Sequence, residues 1–211
     1  MSAIANFCPF PVEKCFALET GGKSVYPAVF MRLRLQLATV EHAPEISALR
    51  AAVAARLAER HGPGPWARTS TVKGVLYDLR HAVVYIAVRR GRIIATLALG
   101  TKKPWAIDRR FFTRCRRPLY LTSMAVATEL QGQGIGRLCL DETQKLATAW
   151  PAETLCLDAY DAPAGAGEFY KCCGYTEVGR ASYRGVPLIY FELKLTATAA
   201  ADTATHRRRR R

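Results

Sequence analysis

The sequence predicts one α/β domain built on a mixed sheet with helices on both faces. Three observations carry that prediction. The length, 211 residues with half of them apolar, suits a single core with modest tails. The apolar periodicity runs β-α-α-β-β-β-α-β-α-β-β with no internal repeat, and strand runs mixed with crossover helices make a mixed sheet covered on both sides. A strand at residues 120–127 leads through Gln131-Gly132-Gln133-Gly134-Ile135-Gly136-Arg137 into a helical pattern. That arrangement aims backbone N–H groups at an anion.

Residues 1–30 show no sustained period and are broken by Pro9, Pro11, Gly21, Gly22 and Pro27; they read as a loosely ordered extension. The domain is expected over 31–195. Residues 32–38 alternate Arg-Leu-Arg-Leu-Gln-Leu-Ala, a half-buried strand. A helix follows from about 43 to 60 with Ile46, Leu49, Val53 and Leu57 inward, stopped by Gly62-Pro63-Gly64-Pro65. A second helix is expected over 69–80. Strands at 82–88 and 92–99 turn around Arg89-Arg90-Gly91. Residues 101–118 read as irregular. The helix after the glycine turn puts Ile135, Leu138, Cys139, Leu146 and Ala149 near one face and closes at Trp150-Pro151. A strand at 154–160, a helix at 164–173 stopped by Gly174, and strands at 175–181 and 187–195 complete the domain. Residues 196–211, Ala/Thr-rich and ending in five arginines, read as a disordered basic tail.

The formal net charge is +14. Residues 31–195 carry 24 Lys/Arg against 14 Asp/Glu and the tail five against one, so most of the excess belongs to the domain. Such a surface favours anionic ligands without choosing among them. The seven cysteines are odd in number and lack metal spacing, which points to free thiols in a reducing, cytoplasmic setting and to no metal site. No apolar run reaches membrane-spanning length, and no signal-peptide pattern opens the chain.

The glycine turn by itself fits many nucleotides, but lacks the Lys-Ser/Thr pair of a P-loop. Two matches narrow it. Met124-Ala125-Val126 followed by Gln131-x-x-Gly134-x-Gly136 resembles the acetyl-CoA motif of the GCN5-related N-acetyltransferase (GNAT) family. Phe169-Tyr170-Lys171-Cys172-Cys173-Gly174-Tyr175 is similar to the same family's Phe/Leu-Tyr-x-x-x-Gly-Phe on its last helix. Together, in the right order and separation, they are specific where a lone glycine loop is not. The resemblance covers about all of 31–195. It implies a mixed, mostly antiparallel central sheet of six to seven strands and direct transfer of the acetyl group of acetyl-CoA to a primary amine.

What the resemblance implies for single residues is as follows. The amides of Gly132, Gln133, Gly134, Ile135, Gly136 and Arg137 cradle the diphosphate, with Gln131 leading the motif. The main chain of Met124, Ala125 and Val126, on a bulged strand, pairs with the pantetheine arm and offers one N–H to the thioester carbonyl. Tyr170 is the general-acid candidate for the leaving thiolate; its alternative is an ordinary core tyrosine. Asp158, twelve residues earlier, is the base candidate if burial raises its pKa; its alternative is a strand-end carboxylate paired with an arginine. Tyr120 and Tyr160 stand in reserve for orienting substrate, and Glu129 reads as solvated. One position departs from the family: Pro163 stands where many relatives carry Asn, leaving Asp161 or a backbone group to make that cofactor contact.

Other functions stay open on sequence alone: a non-catalytic acyl-CoA-binding module, or a basic protein associated with RNA or the ribosome. Seven basic residues, Lys102 to Arg117, surround Trp105, Phe111 and Phe112. They suit an acidic substrate, the cofactor's 3′-phosphate, stacking on nucleic acid, or simple solvation. The acceptor, a small molecule or a protein amine, is not named by the sequence. Nor is a choice between monomer and homodimer.

Overall fold

The computed structural model describes residues 33–195; the extension expected over 1–30 and the tail over 196–211 lie outside the described residues. Eleven elements build one sheet with helices on both faces. They are β1 (Leu35–Leu37), α1 (Ala43–His61), α2 (Val72–His81), β2 (Val83–Arg89), β3 (Arg92–Gly100), β4 (Pro118–Val126), α3 (Ile135–Ala149), β5 (Thr154–Tyr160), α4 (Gly167–Cys172), β6 (Thr176–Tyr183) and β7 (Val186–Lys194). The strands lie in the order β1-β2-β3-β4-β5-β7-β6. Only the central pair, β4 and β5, is parallel; the others are antiparallel. The mixed, mostly antiparallel sheet implied by the resemblance is the one observed.

Alternation along the strands sorts the core by face. Leu119, Leu121, Leu155, Leu157, Ile189 and Phe191 meet α3 and α4 through Ile135, Cys139, Phe169 and Tyr170. On the other face, α1 and α2 cover the β2–β4 half, with Ile46, Leu49, Val53 and Val75 against Ile86 and Ala98. The β5–β7 half of that face is covered by the segment before β4, through Ala106, Ile107 and Phe112 against Tyr120, Cys156 and Tyr190.

Element boundaries differ from expectation where a cap decides them. Helix α2 begins at Val72, not at 69, because the Thr71 hydroxyl accepts from the Gly74 amide. Helix α4 starts at Gly167 rather than 164, because the preceding residues turn tightly: a Cβ on Gly165 would fall 1.9 Å from the Tyr160 carbonyl oxygen. The segment 101–117 is irregular as expected, but contains one 3-10 turn, Arg109–Phe111, capped by Asp108.

Candidate active site

The site is built around β4. Its ladder with β5 holds only from Pro118–Thr154 to Tyr120–Cys156, yet β4 continues to Val126 and β5 to Tyr160. Each strand stays paired on its outer side, β4 with β3 through Val126 and β5 with β7 through Tyr160. The two inner edges therefore separate beyond Tyr120 and Cys156, leaving a wedge between parallel strands. An extended ligand arm entering such a wedge meets strand edges, the same chemistry as an added strand.

A bulge sits at the side of this wedge. Thr96 faces Ala125 and Ala98 faces Thr122, so Leu97 alone opposes both Ser123 and Met124. Ser123 takes φ +54, a left-handed conformation that costs a non-glycine residue roughly 1–3 kcal/mol. The bulge flips the strand's alternation: Leu119 and Leu121 face α3, and so do Met124 and Val126. Ser123 instead turns toward α2, where its hydroxyl lies 3.4 Å from an Asp78 oxygen. Asp78 in turn accepts from Arg50 of α1 at 2.7 Å. Arg50 is buried, and desolvation lowers its pKa against the opposing pull of Asp78. Removing one partner of such a pair strands the other charge, at a cost of about 3–5 kcal/mol. The sequence reading missed this tie. Its signal was present, since Arg50 falls on the inner stripe marked by Ile46, Leu49, Val53 and Leu57.

The glycine turn stands at the wide end of the wedge. Gly132 and Gly134 have φ of +76 and +82, and a Cβ on either would enter open space. The left-handed backbone alone demands glycine there. Gly134 is the N-cap of α3, and the first amide to bond back into the helix is that of Leu138, so the donors of the preceding turn point out of the helix end. The Gln131 side chain donates to the Val126 carbonyl at 2.9 Å, tying the turn to β4, and Gln133 donates to the Glu129 carbonyl. Ile135 is buried in the core. The Arg137 guanidinium donates to the Cys172 carbonyl at the end of α4, and its backbone amide lies in the first turn of α3. Asp161, one of the two expected substitutes for the missing Asn, accepts from Arg180 at 3.0 Å.

The two chemical candidates flank the wedge from opposite faces. Tyr170, fully buried on α4, packs its ring against Phe169, Tyr175 and Phe191, and its hydroxyl lies 3.9 Å from the Met124 sulfur on β4. Asp158 shares the other face with Cys156 and Tyr160, opposite Tyr190 in the ladder. Burial pushes its carboxyl up to about 6, with a backbone hydrogen bond opposing. Tyr160 donates to the Pro65 carbonyl at 3.1 Å, and burial raises the Tyr120 hydroxyl. The thiols of Cys139 and Cys156 are pushed up to about 12, mainly by burial, which leaves them protonated and unreactive at neutral pH.

These features fit a coenzyme with a diphosphate and a narrow arm. The cradle offers helix-end donors without a side chain in the way, and the wedge offers strand edges. Comparisons with known proteins agree. Residues 80–177 match the family model for the acetyltransferase (GNAT) domain. None of the curated proteins matches. Among solved structures, a GNAT-family acetyltransferase from Streptococcus agalactiae aligns with TM-score 0.61 at 14% identity, covering 79% of this chain and 96% of that one. The ribosomal-protein-S18-alanine N-acetyltransferase of Escherichia coli aligns with TM-score 0.57 at 15% identity, covering 80% and 97%. The structure of yncA from Salmonella typhimurium with its cofactor acetyl-CoA aligns with TM-score 0.55 at 18% identity, covering 82% and 99%. At these identities the likeness establishes the fold, that of the GNAT acetyltransferases, and the family match over residues 80–177 is to the acetyltransferase (GNAT) domain.

Proposed function

We propose that the protein transfers the acetyl group of acetyl-CoA to a primary amine, by direct attack with both substrates bound. The observation that carries this reading is the interrupted β4–β5 ladder with the glycine cradle at its mouth. The cradle amides from Gly132 to Arg137 hold the diphosphate, and the main chain of Met124, Ala125 and Val126 lines the arm. When bound, acetyl-CoA supplies an acyl carbon activated by its thioester.

The residues divide the remaining work by face. Asp158 takes a proton from the acceptor's ammonium; a carboxyl raised to about 6 is ionised at neutral pH yet basic enough to serve. As the new N–C bond forms and the C–S bond breaks, Tyr170 gives its proton to the departing sulfur, and the second proton lost by the nitrogen returns, through solvent, to the Tyr170 oxygen. A main-chain N–H at the bulge polarises the carbonyl oxygen. Ser123, tied to Asp78 and Arg50, holds that backbone in its strained form.

The compartment consistent with this reading is the reducing cytoplasm: the described cysteines are free, and no helix among the described residues is long and apolar enough to cross a membrane. The test is release of free CoA from acetyl-CoA across a panel of amines, paired with Tyr170→Phe. Loss of the hydroxyl should lower kcat by about 100-fold while acetyl-CoA binds as before. Unchanged turnover would remove Tyr170 from the acid role, and binding without CoA release from any amine would make the protein an acyl-CoA-binding module instead.

A further inference from the structure

We propose that a pocket at the N-terminal end of β4 receives the far end of the acceptor, and that the acceptor is a primary amine carrying an anionic group. The inference rests on the acetyltransferase reading and adds the class of acceptor. The pocket measures about 450 Å³, with Phe112, Tyr120 and Cys156 among its walls and Arg109, Arg110 and Arg114 around it. Its volume is that of a small-molecule site.

Charge decides what fits. No carboxylate lines the pocket. Arg110 is already held by Asp108, through bonds of 2.7–3.2 Å. The side chains of Arg109 and Arg114 have no hydrogen bond or ion pair among the described residues. Their neighbour Arg117 is paired with Glu153 at 3.2 Å. Arg109 acts electrostatically on both the Tyr120 hydroxyl and the Cys156 thiol, which directs its guanidinium toward the apolar floor. Two unpaired guanidiniums over such a floor suit a carboxylate or a phosphate, which they bind by charge-assisted hydrogen bonds.

Position decides which substrate it is. Tyr120 and Cys156 are the last ladder pair before the wedge opens, so the pocket begins where the wedge ends. Asp158 lies two residues beyond Cys156 on the same face, roughly 7 Å along the strand. A molecule with its anion at the arginines can thus direct its amine toward the base candidate. The coenzyme's own phosphates are excluded. The glycine cradle is at the other end of nine-residue β4, roughly 30 Å away by strand rise, beside the helices of the opposite face. Nucleic-acid stacking is disfavoured as well. Phe112 is buried, Phe111 packs on Tyr190, and Trp105 alone of the three aromatics is widely exposed, at 79%.

The test compares four small amines at saturating acetyl-CoA: β-alanine with a carboxylate, O-phosphoethanolamine with a phosphate, neutral ethanolamine and cationic 1,3-diaminopropane. Either anionic amine, or both, should exceed ethanolamine in kcat/KM by about tenfold or more, mainly through KM, with the diamine poorest. The carboxylate and phosphate arms tell which anion the pocket takes. Arg109→Gln with Arg114→Gln should shrink the anionic-to-neutral ratio to within about twofold of unity, and Arg109→Glu with Arg114→Glu should invert it in favour of the diamine. Equal rates for all four amines, or a double Gln variant that keeps the preference, would overturn the proposal. Equilibrium binding of O-phosphoethanolamine and β-alanine, followed by ligand-observed NMR without donor, separates the two readings. If acetyl-CoA fails to bind, the acetyltransferase reading falls; arginine-dependent anion binding would still uphold the pocket, and its absence would refute it.

Discussion

The two ends of β4 offer an anion different kinds of donor. At the C-terminal end the donors are backbone amides, exposed by two glycines in left-handed conformations and by the start of α3. At the N-terminal end they are guanidiniums carried by an irregular segment and held over an apolar floor. Backbone donors depend on chain geometry, so they recur wherever that geometry recurs and suit a ligand shared by many proteins. Side-chain donors on a loop can be exchanged one at a time without disturbing the sheet. In the proposed reading, the molecule fixes its donor with the fold and chooses its acceptor with a loop.

The largest effect should come from breaking the backbone end. Gly134→Glu forces a side chain into a φ of +82 and adds a negative charge at the proposed diphosphate cradle. Affinity for acetyl-CoA should fall by more than about 100-fold in calorimetric titration, since strain and like charge together exceed roughly 2.7 kcal/mol. Binding of O-phosphoethanolamine should persist. Loss of both would show that the two ends are not independent.

Asp158 lies between the ends, and its replacement sharpens the comparison through pH. Its folded pKa, about 6, is above the ordinary carboxylate range. In rate, kcat/KM of the native protein should rise with pH through about 6 as the carboxylate forms, and Asp158→Asn should lower it by about 100-fold and flatten that limb. In stability the sign is opposite. Between the unfolded and folded pKa values the folded state holds a proton that the unfolded state has released, so stability falls as pH rises across roughly 4 to 6. Asp158→Asn should then melt higher than the native protein at pH 8, by on the order of 2 kcal/mol, and show little gain at pH 4. A variant no more stable at pH 8 would mean that the carboxyl is not raised.

The same division explains what could be read from the chain beforehand. The strands, the inner stripe of α1 and the glycine turn were legible because each follows from a period or from a backbone angle that one residue type supplies. Asp158 stood out as an acid inside the apolar run Leu155-Cys156-Leu157-Asp158-Ala159. The bulge was expected only by resemblance, since Thr122-Ser123-Met124 contains no glycine to mark it. Loop side chains were the least legible. In sequence Arg109 and Arg114 look no different from Arg117, and only the fold pairs the last with Glu153. Phe111 and Phe112, readable as stacking surfaces, are anchors that fix the loop over Tyr190.

Arg137 gives the smallest and most discriminating test, because it belongs to the backbone end yet carries a charge. Its amide lies in the first turn of α3, while its guanidinium is spent on the Cys172 carbonyl. If the donor end works through backbone alone, Arg137→Ala leaves the amide in place and removes one exposed hydrogen bond between α3 and α4. Stability should drop by about 1 kcal/mol or less, and acetyl-CoA affinity should change by less than about threefold. Lysine at this position, which keeps the charge but not the planar fork, should behave like alanine. A loss of tenfold or more for Ala that Lys restores, beyond the roughly 1 kcal/mol a surface contact supplies, would show the side-chain charge acting on the diphosphate. The cradle would then share the charge-based chemistry of the acceptor pocket, and the contrast between the two ends of β4 would be one of degree.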